Sequence, residues 1–157
     1  MTTQRIPQIK LEKVKKSSKI AVITAIWNRD LTEKMEEQCL KTLKGYGIKP
    51  TSIQVSGSFE LIAAARNAIL KKYDAVIVLG VVLRGETPHF EYISMAVTNG
   101  MTQIAAESGK PIGFGVLTCD NYEQAKARAG FEGSIENKGQ ECAIAVLLSL
   151  SEHKKLG

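Results

Sequence analysis

Four short apolar runs, separated by stretches of helical periodicity, constrain this chain more than anything else in it. Residues 19–26 (Lys-Ile-Ala-Val-Ile-Thr-Ala-Ile), 51–55 (Thr-Ser-Ile-Gln-Val), 75–82 (Ala-Val-Ile-Val-Leu-Gly-Val-Val) and 112–117 (Ile-Gly-Phe-Gly-Val-Leu) read as strands, three of them apolar on both faces. Strands with no polar face belong inside a parallel sheet covered by helices on both sides. Between them, Asp30 is expected to cap a helix carrying Leu31, Met35, Cys39, Leu43 and Tyr46 at helical spacing, stopped by Gly47 and Pro50. Ser58 is expected to cap a second helix reaching about residue 71. A third is expected to start at Thr87 as N-cap with Pro88 in the first helical position; it aligns Ile93, Val97, Met101 and Ile104 and ends at Gly109 and Pro111. Asn121 with Gln124 marks a short helix start, and residues 137–151 form a last helix rich in Ala and Leu. Strands alternating with helices predict a doubly wound α/β fold, a three-layer α/β/α sandwich around a four-stranded parallel sheet. At 157 residues with 44% hydrophobic content, the chain is long enough for one such core and too short for two.

Ligands in this architecture bind beyond the carboxyl ends of the strands. Those ends carry Trp27-Asn28, Ser56-Gly57-Ser58-Phe59-Glu60, Arg84 to His89, and Thr118-Cys119-Asp120. Polar groups beside aromatics or a histidine are the composition of a pocket for a planar hydrogen-bonding ring and an anion. The segment from Leu79 to Tyr92 is the most telling, because a buried strand runs through a loop with Gly85 into a helix with His89 in its first turn. Unpaired N–H groups and the positive end of the helix dipole favour phosphate or carboxylate there. Histidine is the side chain best suited to exchange a proton near neutral pH.

Several chemistries are excluded or disfavoured. No Gly-x-x-x-x-Gly-Lys-Ser/Thr occurs, and Gly113-Phe114-Gly115 lacks the third glycine of a dinucleotide fingerprint. No Gly-x-Ser-x-Gly elbow occurs, and of the two histidines, His153 lies in a charged terminal stretch. Cys39, Cys119 and Cys142 are widely spaced and odd in number, so neither a disulfide framework nor a metal site is expected, and a reducing cytoplasm is the expected compartment. Cys119 stands at a strand end but has no second histidine to activate it, and is read as inert. The net charge of +5 comes largely from terminal lysines with no aromatics among them, which reads as solvation rather than nucleic-acid binding. No signal-peptide core or membrane-spanning run is present, so no membrane partner is expected.

Taken together, Val55-Ser56-Gly57-Ser58-Phe59-Glu60-Leu61, Gly80 to Tyr92, Gly115-Val116-Leu117-Thr118, Glu123-Gln124-Ala125 with Arg128-Ala129-Gly130, and Asn137-Lys138-Gly139-Gln140-Glu141 resemble the 6,7-dimethyl-8-ribityllumazine synthase family from about Lys19 to Leu150. The resemblance implies a flavodoxin-like topology, with residues 19–157 as one synthase domain and 1–18 as an N-terminal arm, flexible or added to a neighbouring subunit's sheet. It implies a transferase that condenses 5-amino-6-(D-ribitylamino)uracil with 3,4-dihydroxy-2-butanone 4-phosphate, losing phosphate and water, without metal or organic cofactor. It further implies a homo-oligomer, at least a pentamer, and riboflavin synthase as a protein partner. Residue by residue, His89 is implied as the acid/base and Arg128 as the phosphate grip, assisted by Gly85, Glu86 and Thr87. Trp27 is implied to stack on the pyrimidine beside Asn28, with Val81, Val82 and Leu83 along its edge and Ser58, Phe59 and Glu60 addressing ring and ribityl hydroxyls. Phe114 and Arg128 are implied to come from the adjoining subunit, and Lys138 and Glu141 to lie near the phosphate end.

The chain departs from the family pattern at Trp27, where phenylalanine is usual, at Ile62, where proline often stands, and in a longer segment from Ala129 to Asn137. The larger indole leaves a non-catalytic riboflavin or lumazine carrier on the same scaffold as the alternative reading, with a structural shell subunit as a third. Taken singly, Trp27 also fits a core residue, Glu60 a first-turn acid that favours its helix, and Arg128 and Lys138 ordinary surface charges. Joint retention of His89, Arg128 and the Glu86-Thr87 loop favours the enzyme.

Overall fold

The apolar runs form one parallel sheet of β1 (Ile20–Ala25), β2 (Thr51–Val55), β3 (Ala75–Leu83) and β4 (Ile112–Cys119), in the spatial order β2-β1-β3-β4. The computed structural model describes Leu11 and residues 14–157. Helices α1 (Arg29–Gly45), α2 (Leu61–Leu70), α3 (His89–Ser108), α4 (Tyr122–Lys126) and α5 (Lys138–His153) connect and follow the strands. The doubly wound α/β expectation holds, and the strand order is that of the flavodoxin-like arrangement.

The alternation within each strand divides the interior into two cores. Ile20 and Val22, with Ala75, Ile77, Leu79 and Val81, face α1 and α5, where they meet Leu31, Met35, Leu43, Val146 and Leu147. Ala21, Ile23, Val76 and Val78 face α2 and α3, against Leu61, Ala65, Val97, Met101 and Ile104. Full burial of a large aliphatic side chain contributes about 1.5–3 kcal/mol, so these two layers dominate the stability. In β4 the residues facing α5 include Gly113 and Gly115, where an added Cβ would lie 2.9 Å from Ile77 Cγ1 and 2.5 Å from Leu79 Cδ2 respectively. That emptiness lets α5 sit close on the sheet.

Helix starts differ from expectation at three places. Asn28, in the left-handed region at φ 61°, precedes α1 as its N-cap; Asp30 lies in the first turn instead and accepts a hydrogen bond from the Tyr122 hydroxyl. Residues 58–60 form a turn and α2 starts at Leu61, so Ser58 caps nothing with its side chain. Helix α3 starts at His89 with Pro88 as N-cap, one residue beyond the expected start, and no side chain closes it. By contrast, Asn121 and Asn137 accept hydrogen bonds from the backbone N–H of Gln124 (2.9 Å) and Gln140 (3.1 Å). Strand β4 also runs further than expected, through Thr118 and Cys119, because its ladder with β3 continues to the Leu83–Cys119 pair. Of the N-terminal arm, residues 1–10, 12 and 13 lie outside the described residues, while Leu11 and Val14 pack against the α1/α5 core.

All three cysteines are buried as free thiols. Burial pushes the Cys39 thiol well above its ordinary range and Cys142 up to about 12, and it raises Cys119 against the opposing pull of Arg128. A thiolate-specific reagent at neutral pH is therefore expected to leave the folded protein essentially unlabelled and to titrate three thiols once it is unfolded. Rapid labelling of Cys119 in the native state would contradict its reading as inert.

Candidate active site

With all strands parallel, their carboxyl ends share one edge, and the chain reverses winding direction between β1 and β3. A cleft of roughly 510 Å³ lies over that crevice, lined by Trp27, Asn28, Ser58, Phe59, Glu60, Val81, Val82, Leu83, His89 and Ile93. Its position follows the general rule for doubly wound sheets.

Each wall has a local cause. After β1, the Ile26 and Trp27 N–H groups bond to the carbonyls of Val55 and Ser56 at 2.8 and 3.0 Å, so the chain leaves the sheet only at Asn28. The Asn28 side-chain amide then donates to the Val81 carbonyl at 3.1 Å, joining the ends of β1 and β3 across the crevice. Trp27 is 66% exposed and its ring lies against Gly57, where an added Cβ would fall 2.8 Å from Cε3. Lacking a side chain, Gly57 lets the indole rest on the turn while its other face stays open. Ser58 is only 7% exposed, yet its hydroxyl has no hydrogen-bond partner among the described residues. It sits over Gly80, where a Cβ would come within 2.6 Å of its oxygen. A buried hydroxyl without a partner is costly unless a ligand or water supplies one. Phe59 is largely exposed and faces the cleft with Glu60.

His89 opens α3 and reaches the cleft from its first turn, while Gly85, Glu86 and Thr87 form the exposed loop leading into it. The first N–H groups of α3 have no carbonyl a turn earlier to bond, which leaves donors beside that loop. Arg84, immediately before the loop, donates from Nε to Asp120 Oδ1 at 2.8 Å and from Nη1 to Glu91 Oε1, and its guanidinium lies 4.3 Å from the centre of the Phe90 ring. Its hydrogen bonds to Asp120 and Glu91 raise the Arg84 pKa, and the bond from Arg84 lowers that of Glu91.

Gly85, Glu86 and Thr87 adjoin this cleft through His89 without lining it, and Arg128, Phe114, Lys138 and Glu141 are not on it either. Arg128 donates from Nη1 to the Gln124 carbonyl at 2.8 Å, with Nε 3.7 Å from Glu136 Oε1. Lys138 lies 3.5 Å from Glu136 and 3.4 Å from Glu141 in the same charged group. Phe114 is partly exposed on β4, an edge strand of the sheet. Two residues were not singled out for the site. Ile93, whose helical spacing points only to a core stripe, lines the cleft, and Arg84, which its loop alone gives no role, bridges to Asp120 and Glu91.

The sequence model for 6,7-dimethyl-8-ribityllumazine synthase matches residues 17–154. The 6,7-dimethyl-8-ribityllumazine synthase of Streptomyces avermitilis is 46% identical over 130 residues, covering 82% of this chain and 81% of the relative. That of Arthrobacter sp. strain FB24 is 48% identical over 131 residues, 82% and 80% of the two chains. That of Nocardioides sp. strain JS614 is 41% identical over 140 residues, 88% and 87% of the two.

Proposed function

Because the chain belongs to the 6,7-dimethyl-8-ribityllumazine synthase family and carries out the lumazine synthase reaction of riboflavin biosynthesis, we propose that the β1/β3 cleft is its catalytic pocket and that a second copy of the chain completes it. The pyrimidine stacks on the open face of Trp27 and runs along Val81, Val82 and Leu83. Ser58, whose hydroxyl lacks a partner, bonds the ring or the ribityl chain together with Asn28 and Glu60, and Phe59 packs beside them. The butanone phosphate places its anion on the Gly85-Glu86-Thr87 loop at the start of α3. His89, beside that loop, moves protons during imine formation and the elimination of phosphate.

A single observation carries the composite site: one chain gathers the pyrimidine residues and His89 into the cleft, while Phe114, Arg128 and Lys138 lie outside it. A neighbouring subunit that presents β4 and the loop after α4 supplies the missing aromatic wall and the cations for phosphate. The assembly is then a closed ring, a pentamer or a multiple of it, with riboflavin synthase as a protein partner. Since the two substrates are reactive already, most of the acceleration comes from holding them together.

Subunit mixing tests this. His89→Ala and Arg128→Ala are each expected to be strongly impaired alone. Co-expressed in equal amounts, they are expected to recover about a quarter of the unmodified rate, because a site between two subunits draws its intact His89 and its intact Arg128 independently, each with a chance of one half. Mixed assemblies no more active than the average of the two variants would place both residues in one subunit's site, or Arg128 in none.

A further inference from the structure

We propose that Arg84 is a positioning residue for phosphate: by holding Glu91 and Asp120 in ion pairs, it keeps the loop before α3 receptive to an anion. The inference rests on the assignment of phosphate to the Gly85-Glu86-Thr87 loop.

The loop would otherwise be a poor place for phosphate. Glu86 lies within it, Glu91 follows in the first turn of α3, and Asp120 stands at the adjoining end of β4. Three carboxylates around an anion oppose it, and the helix dipole alone contributes roughly half a unit charge. Arg84 is tied to two of the three. Its Nε takes Asp120 at 2.8 Å and its Nη1 takes Glu91. The backbone fixes the base of the side chain, since the Arg84 N–H bonds to the Cys119 carbonyl at 3.0 Å, and the guanidinium rests on the Phe90 ring next to His89. A planar fork reaches two carboxylates at once as a single ammonium does not. These pairs are exposed, so they add little to folding stability; their consequence is the local potential met by an incoming dianion.

Inorganic phosphate, a product of the reaction, is the probe. Its inhibition constant against the butanone phosphate is measured for the purified full-length protein and its variants, with the KM of the pyrimidine as the internal comparison. Arg84→Gln is expected to weaken phosphate by about five- to tenfold, as expected for one lost unit charge nearby in a high-dielectric setting, while the pyrimidine KM stays within about twofold. Adding Glu91→Gln returns the local charge to that of the unmodified protein and is expected to restore most of the phosphate affinity. Glu91→Gln alone, which removes a negative charge and leaves Arg84 in place, is expected to tighten phosphate by a factor comparable to that recovered in the double variant, and Arg84→Lys, which keeps the charge but loses the fork, to lie between Arg84→Gln and the unmodified protein.

Thr87→Val separates this inference from the reading beneath it. If Thr87→Val weakens phosphate and Arg84→Gln does not, the role of Arg84 is overturned and the loop assignment stands. If neither affects phosphate, the loop assignment has failed and the inference falls with it. Equal loss of both substrates in Arg84→Gln without recovery on adding Glu91→Gln would mean that Arg84 only holds the fold, which also overturns the proposal.

Discussion

His89→Ala is expected to lower turnover about a hundredfold while leaving the KM of the pyrimidine nearly unchanged. General acid/base catalysis is worth roughly 10²–10⁴ in rate, and the lower end applies where the partners condense without help and the site mainly orients them. Since His89 reaches the cleft from the start of α3 while Trp27 follows β1, the loss should fall on kcat and leave the proposed stacking intact. The measurement is lumazine formation followed by absorbance, with the spontaneous reaction of the two substrates subtracted. A variant as fast as the unmodified protein would remove His89 from the chemistry. A pocket that binds riboflavin with no turnover above background in the unmodified protein would instead favour the carrier reading.

The largest effect on stability is expected from Gly139→Ala. Gly139 lies in the first turn of α5, where that helix crosses α1 so closely that an added Cβ would stand 2.0 Å from the Met35 carbonyl oxygen and 2.9 Å from its carbon. Those atoms are backbone and have no rotamer to escape into, so the helices must separate. Met35, Leu43, Val146 and Leu147, all in the core between these helices and the sheet, would lose packing together. Overpacking of a tight core costs about 1–3 kcal/mol and more where backbone must move; a loss of about 3 kcal/mol or greater is expected here. Gly45→Ala provides the contrast. It ends α1 with nothing within 4 Å of an added Cβ, so better helix propensity should make it neutral or stabilising by up to about 1 kcal/mol. Urea midpoints at one fixed protein concentration test both, because assembly makes apparent stability depend on concentration. Equal midpoints would show that α5 slides to make room.

The strands and the Val97, Met101, Ile104 stripe were legible because hydrophobic pattern is a local signal, and each is found where expected; burial on both faces holds for the central β1 and β3, whereas β4, expected to share it, lies at the sheet edge and leaves Phe114 exposed. Helix starts were less legible because a distant partner decides them. Asn28 is engaged with Val81, fifty-three positions along the chain, and that contact, with the left-handed turn it accompanies, sets the start of α1 ahead of Asp30. Likewise nothing near Arg84 in the sequence announces Asp120, thirty-six positions away. Gly139 was visible only as a member of a motif, and its reason is the Met35 backbone across the helix crossing. Arg128 and Phe114 were legible as candidates by residue type and motif, but their place relative to the cleft depends on tertiary arrangement, and one chain leaves them apart.

The hydrogen bond from Asn28 to the Val81 carbonyl has a kinetic meaning as well as a structural one. It ties the end of β1 to the end of β3 before any substrate arrives, so those two walls of the cleft are set relative to each other when the chain folds. Binding then requires little ordering of these two walls, and contact energy made there goes into aligning the substrates. An enzyme built this way should show no slow isomerisation after mixing, and its encounter with substrate should be paced by diffusion and by charge at the loop before α3.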